Sequence, residues 1–205
     1  MRPVKVKICG IRRPQDLKAA VTAGADALGF VFAPGSSRRL AVEEARVLVA
    51  QVPAFVSRVG LFMDQTRNEV EQVLQRVPLN LLQFHGREEA GFCRQFGLPY
   101  VKAVAMGSDA APEQAERDFA DAAALLLDSH RAGSVGGTGQ TFDWSGIPSM
   151  KLPLVLAGGL TPENVRRAVQ QVQPWAVDVA SGVEDAPGEK NVEKMQTFIR
   201  EAKGE

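Results

Sequence analysis

The chain contains 205 residues, and its 24 lysines and arginines balance its 24 aspartates and glutamates, so the formal net charge is zero. It lacks the basic excess of a nucleic-acid-binding protein, and no run of eighteen apolar residues predicts a membrane span. The start, MRPVKVKICG, lacks the apolar region of a signal peptide, and two cysteines, Cys9 and Cys93, are too few for a disulfide framework. We therefore expect a cytoplasmic protein with neither nucleic-acid nor membrane partners.

Eight short apolar segments recur along the chain and predict β-strands. They begin near Val4, Asp26, Ser57, Asn80, Tyr100, Ala124, Pro153 and Ala176. Helical patterns separate most of them, at residues 14–24, 41–52, 66–77, 87–97 and 161–172. Thr66 and Thr161 are predicted N-caps, and Gly24 and Gly97 suit the ends of helices. Residues 131–150, after the sixth strand, instead predict a Gly-rich loop and a brief helix.

The alternation of strands and helices predicts a parallel sheet that helices cover. Strands in such a sheet are apolar on both faces, as these are. Eight repeats predict a single compact (β/α)8 TIM barrel over residues 1–205, at the short end of the length range for this fold. An open, doubly wound sheet is the alternative, but the count of eight and the lack of a G-x-G-x-x-G turn after the first strand argue against it.

Catalytic residues in such a barrel lie where the strands end and the following loops begin. In the first strand, Lys7 and Cys9 share the face opposite the apolar residues that helices should cover, so we expect both to point into the barrel. The same alternation turns Asp178 of the eighth strand inward. Asp128 ends the sixth strand, in ALLLD, where we favour a catalytic role over capping of the next loop.

Lys7 and Asp178 are predicted to form a buried ion pair. Closure of an eight-stranded barrel brings the eighth strand beside the first, so these two inward residues become neighbours. A buried lysine is almost never left unpaired. We therefore expect the pair just beneath the mouth of the barrel.

Two loops with glycine, at Gly158-Gly159 and Ser181-Gly182, follow the seventh and eighth strands. Loops at these positions usually bind phosphate in this barrel, and glycine lets backbone N–H groups approach a ligand closely. The alternative is that each loop is a tight turn that needs glycine for its backbone. Arg38, in PGSSRRL after the second strand, could hold a planar carboxylate through two hydrogen bonds or could lie in a solvated basic loop.

The remaining titratable candidates favour structural roles. His85 could act as an acid or a base, but we favour a structural histidine. Cys93 lies among apolar residues of a helix and is expected to pack in the core. Only two histidines, His85 and His130, are present, so we expect no metal site.

The sequence resembles the phosphoribosylanthranilate isomerases of tryptophan biosynthesis in motifs that run in order from residue 5 to residue 184. They are KICGI, GADALGFVFAPGSSR, RVGLF, LQFHG, LLLDS, GGTGQTFDW, LAGGLTPENV and VDVASGVE. The combination of KICGI with GGTGQTFDW is highly specific, and no motif departs from the family pattern at the expected functional positions. The resemblance implies a compact (β/α)8 barrel that needs no cofactor and acts on a small phosphorylated molecule.

The resemblance also implies an Amadori rearrangement, the third step of tryptophan synthesis from chorismate. In this reaction N-(5-phosphoribosyl)anthranilate becomes 1-(2-carboxyphenylamino)-1-deoxyribulose 5-phosphate. Asp128 would be the general acid that opens the ring, and Cys9 the general base that removes the proton on ribose carbon 2. Arg38 would hold the anthranilate carboxylate. Gly158, Gly159, Ser181 and Gly182 would bind the phosphate. Independently of the resemblance, the inward direction of Asp178 predicts that its carboxylate bonds a ribose hydroxyl.

These two catalytic roles require protonation states opposite to the ordinary ones. An ordinary aspartate has a pKa of about 3.9 and an ordinary cysteine one of about 8.5. Our hypothesis is that burial raises the pKa of Asp128, whereas Lys7, Arg38 or a helix N-terminus lowers that of Cys9.

Two other functions stay open on the residues alone. One is a different barrel enzyme. A metal-dependent sugar-phosphate epimerase would need more histidines, and an indole-glycerol-phosphate synthase would need a catalytic Lys and Glu pair and usually a longer chain. The other is a non-catalytic protein that binds a phosphorylated ligand, which would not need Cys9 opposite Asp128. The oligomeric state is also open, with a homodimer among the options.

Overall fold

Eight parallel β-strands close into a barrel in which β1 pairs with both β2 and β8. The computed structural model describes residues 4–106, 111–129 and 143–204. The barrel strands are β1 (Lys5–Cys9), β2 (Ala27–Val31), β3 (Ser57–Phe62), β4 (Leu81–Phe84), β5 (Tyr100–Ala105), β6 (Ala124–Asp128), β7 (Leu154–Leu156) and β8 (Ala176–Val179). Each begins at its predicted residue or at the next one, and the predicted (β/α)8 barrel is confirmed.

Helices cover the outside of the barrel. Within the described residues they are α1 (Pro14–Thr22), α2 (Val42–Val49), α3 (Arg67–Leu74), α4 (Ala90–Cys93), α5 (Pro112–Asp118), α6 (Val165–Val172) and α7 (Val192–Lys203). In the described residues between β6 and β7, only a 3-10 turn at Trp144–Gly146 is helical. Most of the predicted Gly-rich loop, together with His130, lies outside the described residues. None of the described helices is long and apolar enough to span a membrane.

The predicted helix boundaries hold at three of four positions. Thr66 caps α3: its hydroxyl accepts from the Glu69 backbone N–H, and the Glu69 carboxylate accepts from the Thr66 backbone N–H. Gly24 and Gly97 adopt the left-handed conformation that favours glycine where a helix ends. The Thr161 prediction is wrong in position, because α6 begins only at Val165, after a turn.

Alternate strand positions contribute to two separate cores. The outer core, between the strands and the helices, contains large side chains such as Phe84, Leu125 and Val177. The inner core contains smaller ones, because the interior of an eight-stranded barrel holds few side chains in each layer. Its buried members are Val101, Ala124, Leu126, Val155, Ala157 and Ala176. Cys93 is fully buried in the outer core, as predicted.

An antiparallel hairpin that the sequence analysis did not predict lies between β8 and α7. Its strands are β9 (Glu184–Ala186) and β10 (Glu189–Lys190), and Gly188 in their turn has a φ of 84°. Because the hairpin follows the carboxyl end of β8, it lies at the end of the barrel where catalytic residues are expected.

Candidate active site

A pocket opens at the carboxyl-terminal ends of the barrel strands. All eight site residues expected from the sequence line it: Cys9, Arg38, Asp128, Gly158, Gly159, Asp178, Ser181 and Gly182. Other lining side chains include Gln83, His85 and Ser129. Residues that are as much as 173 positions apart in the chain are therefore neighbours in one cavity, because closure of the barrel brings all the strand ends into one ring.

The Cys9 thiol is buried at the end of β1 against the backbone of the neighbouring strand. Its register partner on β2 is Gly29, where a Cβ atom would lie 2.7 Å from Cys9 Sγ and 3.0 Å from Lys7 Nζ. Burial raises the pKa of the Cys9 thiol, and Lys7 opposes that shift only in part. The hypothesis that nearby cations hold the Cys9 pKa below its ordinary value is therefore wrong, because desolvation outweighs the cation.

The predicted ion pair between Lys7 and Asp178 is confirmed. Lys7 Nζ donates to both carboxylate oxygens at 3.0 Å, and the two side chains are 9% and 8% exposed. The two residues are direct partners in the β1–β8 register. Burial by itself would lower the pKa of Lys7, but the charges of Asp178 and Cys9 outweigh it and raise that pKa. Lys7 is therefore a permanent ammonium group next to the Cys9 sulfur.

Asp128 is the last residue of β6. It lies on the inward face of the barrel, the same face as Leu126 of the inner core two residues earlier. His85 Nε2 lies 3.6 Å from Asp128 Oδ2, and Gln83 Nε2 lies 3.0 Å from His85 Nδ1. Both ring nitrogens of His85 therefore have polar neighbours, Nδ1 the side-chain amide of Gln83 and Nε2 the carboxyl group of Asp128. The interpretation of His85 as purely structural is incomplete, because its ring forms part of the pocket wall next to this carboxyl group.

Arg38 reaches the pocket by crossing the backbone of the loop after β1. Gly10, with a φ of 79°, permits this crossing, because a Cβ atom there would lie 2.5 Å from Arg38 Cδ. The Arg38 guanidinium donates from Nε and Nη2 to the two oxygens of Glu184, at 2.9 and 2.6 Å. Only 9% of Arg38 is exposed, which excludes the solvated basic loop that the sequence left open.

The glycine loops after β7 and β8 form one wall of the pocket. Gly158 and Gly159 have φ angles of 81° and 63°, which favour glycine, and a Cβ atom on Gly158 would collide with Ser129. A Cβ atom on Gly182 would collide with the backbone of Leu160. The Asn164 side chain holds the first loop in shape, since it donates to the Gly159 carbonyl at 2.9 Å. The absent side chains leave backbone close to any ligand in this part of the pocket.

Sequence reasoning missed four residues that surround the expected site. They are Gly29, Gln83, Glu184 and Lys190. Gly29, Gln83 and Glu184 had a signal, because they lie in the motifs GADALGFVFAPGSSR, LQFHG and VDVASGVE, whereas Lys190 lies outside the motifs. Of the motif GGTGQTFDW, the structure describes only Asp143 and Trp144. Among the described residues, no group of three or more His, Cys, Asp or Glu side chains is arranged to hold a metal ion.

Comparisons with known proteins agree with one another. The chain matches the family model for N-(5'-phosphoribosyl)anthranilate (PRA) isomerase over residues 6–201. It is 52% identical to the N-(5'-phosphoribosyl)anthranilate isomerase of Thiobacillus denitrificans over 202 residues, which cover 98% of each chain. A crystal structure of phosphoribosyl anthranilate isomerase in complex with reduced 1-(o-carboxyphenylamino)-1-deoxyribulose 5-phosphate matches with a TM-score of 0.83 and 40% identity, covering 98% of this chain and 100% of that one. Monomers generated from the dimeric Thermotoga maritima isomerase match with a TM-score of 0.83 and 38% identity, at the same coverage.

Proposed function

The chain belongs to the N-(5'-phosphoribosyl)anthranilate isomerase family, and we propose that Cys9 and Asp128 carry the family's reaction as general base and general acid. The reaction is an aldose–ketose isomerisation of tryptophan biosynthesis that converts N-(5'-phosphoribosyl)anthranilate into 1-(2-carboxyphenylamino)-1-deoxyribulose 5-phosphate. One observation carries the proposal: a thiol and a carboxyl group line the same pocket from β1 and β6, two strands that β7 and β8 separate on the ring.

The general-acid role requires that the reacting form of the enzyme carries a proton on Asp128. Asp128 gives this proton to the ring oxygen of the furanose while the bond from that oxygen to carbon 1 breaks. The lone pair of the anilino nitrogen forms the C=N bond of a Schiff base at carbon 1. Asp128 is left as a carboxylate, and His85 Nε2, 3.6 Å from Oδ2, can stabilise the charge that develops there when that nitrogen carries a proton.

Cys9 completes the rearrangement as a thiolate. It removes the proton on carbon 2, and the electrons of that C–H bond form a C=C bond to carbon 1 while those of the C=N bond return to nitrogen. The resulting enolamine tautomerises to the ketone. The ammonium of Lys7 is the nearby cation that stabilises the thiolate, and burial keeps most of Cys9 protonated until the pH rises towards the pKa of the thiol.

The substrate's two anionic ends suit two different groups of residues in the pocket wall. Glu184 accepts hydrogen bonds from one edge of the Arg38 guanidinium. The other edge can hold the anthranilate carboxylate. Gly158, Gly159, Ser181 and Gly182 bring backbone to the pocket wall, where N–H groups can donate to the phosphate. The carboxylate of Asp178 also lines the pocket and can accept from a ribose hydroxyl.

Turnover of the labile substrate tests this function. The substrate is generated from anthranilate and ribose 5-phosphate, and the fluorescence of the anthranilate-type substrate is followed after the enzyme is added. We expect a fall in fluorescence that is proportional to enzyme concentration and persists in a chelator without added cofactor. Binding of the product analogue without any turnover would instead indicate a protein that only binds the phosphorylated ligand.

We also propose that residues 1–205 act as one barrel domain in the cytoplasm. The carboxyl-terminal helix α7 packs on α1 and on β1, which ties the two ends of the chain together. A catalytic thiol at Cys9 has to stay reduced, and a reducing compartment maintains it. Cell fractionation that places the enzyme in an oxidising compartment would contradict this location.

A homodimer is the assembly we propose. The Thermotoga maritima relative is dimeric, and this chain exposes Phe55 completely and Trp175 by 54%. Both residues lie just before a barrel strand, on the face opposite the pocket, and large exposed apolar side chains often mark an interface. Light scattering after size-exclusion chromatography should give twice the mass of the chain, and Phe55→Ser should shift the protein towards half that mass. A wild-type monomer would contradict the proposal.

A further inference from the structure

The hairpin β9–β10 places a second charged layer behind Arg38. Glu184 begins β9 and Lys190 ends β10, and their side chains are only 4% and 0% exposed. Neither residue is among the described residues that line the pocket, whereas Arg38 is. Glu184 therefore acts on the pocket through Arg38, the lining residue that it contacts.

Glu184 holds the guanidinium by one edge. Its two oxygens accept from Nε and Nη2 of Arg38 in a two-bond fork, which fixes the plane of the guanidinium as well as its position. Within residues 4–106, 111–129 and 143–204, no acceptor is within hydrogen-bonding distance of Nη1. Arg38 lines the pocket, and its other edge thus keeps donors for a planar anion.

The charges of this cluster do not cancel. Lys190 Nζ donates to Glu184 Oε1 at 2.7 Å and to the Ala180 carbonyl at 3.0 Å, so two cations share one carboxylate. Burial lowers the pKa of Lys190, and Glu184 opposes this shift. Arg38 and Glu184 alone would be neutral, whereas the three groups leave one positive charge that little water can screen. A carboxylate of the ligand would neutralise it.

A further set of contacts fixes the hairpin to the start of α1. Arg13 forms a salt bridge with Asp16 at 2.8 Å and with Glu189 at 3.2 Å, and its Nη2 donates to the Lys190 carbonyl at 3.3 Å. The loop after β1 and the loop after β8 therefore support Glu184 together, and Glu184 in turn supports Arg38 in the loop after β2.

We propose that Glu184, with its charge balanced by Lys190, is the positioning residue that orients Arg38 for the carboxylate of the substrate. This inference rests on the proposed function, in which Arg38 receives the anthranilate carboxylate. It predicts that Glu184 governs discrimination between substrates with and without that carboxylate, and that it has no direct part in the proton transfers.

The test compares two ligands on the Glu184→Gln variant. One is reduced 1-(o-carboxyphenylamino)-1-deoxyribulose 5-phosphate, and the other is the same compound without the ring carboxylate. Glutamine keeps the shape but offers one acceptor where the guanidinium presents two donors. Calorimetry should show that affinity for the carboxylated compound falls roughly tenfold to a hundredfold, as for the loss of one or two charge-assisted hydrogen bonds, while affinity for the other compound changes little. Turnover should show KM rising by more than kcat falls.

Asp185→Asn is the matched control, because it makes the same carboxylate-to-amide change in the same hairpin at a side chain that is 59% exposed and pairs with Lys194 of α7. This variant should bind both compounds as the wild type does. Equal losses for the two compounds in Glu184→Gln would overturn the inference, whereas absence of turnover in the wild type would overturn the proposed function instead. If Glu184→Gln does not fold, Glu184→Asp keeps the charge but shortens its reach, and it should show a smaller loss that is again confined to the carboxylated compound. Equal losses there would overturn the inference as well.

Discussion

Replacing Lys7 by Met should destabilise the protein far more than replacing Lys7 and Asp178 together. The Lys7 ammonium lies 3.0 Å from both oxygens of Asp178, and less than a tenth of either side chain is exposed, so solvent screens the pair only weakly. Removal of one partner leaves a buried charge without its counterion, which typically costs about 3–5 kcal/mol. The double variant Lys7→Met, Asp178→Leu leaves no buried charge unpaired, and its apolar side chains fill a volume similar to that of the ion pair. It should therefore lower the free energy of unfolding by only about 0–2 kcal/mol.

The loss in Lys7→Met should also depend on pH. Burial raises the pKa of Asp178, and Lys7 opposes that shift, so without Lys7 the carboxyl group can escape part of the penalty by binding a proton. A group whose folded pKa lies above its unfolded pKa contributes less stability as the pH rises. The difference in unfolding free energy between wild type and Lys7→Met should therefore be smaller at pH 5 than at pH 8.

Urea unfolding of the wild type, both single variants and the double variant gives the coupling free energy. The pair Lys5 and Asp26 serves as the control, since it starts from the same strand at 2.9 Å but its side chains are 51% and 24% exposed. Coupling there should be below about 1 kcal/mol. Strictly additive losses at Lys7 and Asp178, or coupling no larger than in the control pair, would refute the reasoning.

Three further predictions concern the pocket. Arg38→Met should weaken binding of the carboxylated product analogue and leave binding of the analogue without the carboxylate nearly unchanged, and calorimetry that gives equal losses would assign Arg38 another role. Because burial raises the pKa of Cys9, kcat/KM should increase from pH 6 through pH 8 as the thiolate fraction grows. Lys7→Met should move that increase to higher pH. A profile that does not move would exclude Lys7 as the cation that stabilises the thiolate. Gly29→Ala should lower kcat and cost about 1–3 kcal/mol of stability, as overpacking usually does, because its Cβ atom would lie 2.7 Å from Cys9 Sγ; unchanged kinetics would show that the thiol has room to move.

The barrel could be predicted from the sequence because its physical requirements are local and repeated. A strand covered on both faces needs a short apolar run, and eight such runs at a regular spacing leave few other topologies. The pair of Lys7 and Asp178 followed from two-residue alternation together with closure of the ring. The position of the first turn of α6 did not follow, because Asn164 and the loop after β7 decide where that helix begins.

The surroundings of the site depend on contacts that no local pattern contains. Glu184 is 146 residues away from Arg38 in the chain, and its approach depends on a hairpin that was not predicted. The pKa of Cys9 could not be judged from the presence of Lys7 alone, because the sign of the shift depends on how completely the thiol is buried. For His85, the strand pattern did not show that its ring would reach Asp128 from two strands away.

Steady-state kinetics of Cys9→Ala and Asp128→Asn tests the central claim most directly. Each variant removes one proton-transferring group from the pocket, and general acids and bases typically contribute about 10²–10⁴-fold to the rate. Cys93→Ala is the control, because it removes the other buried thiol from the outer core, far from the chemistry. We expect kcat to fall by that factor in both pocket variants, with affinity for the reduced product analogue nearly intact and with the kcat of Cys93→Ala close to wild type. A near wild-type kcat in Cys9→Ala or in Asp128→Asn would contradict the assignment of base and acid.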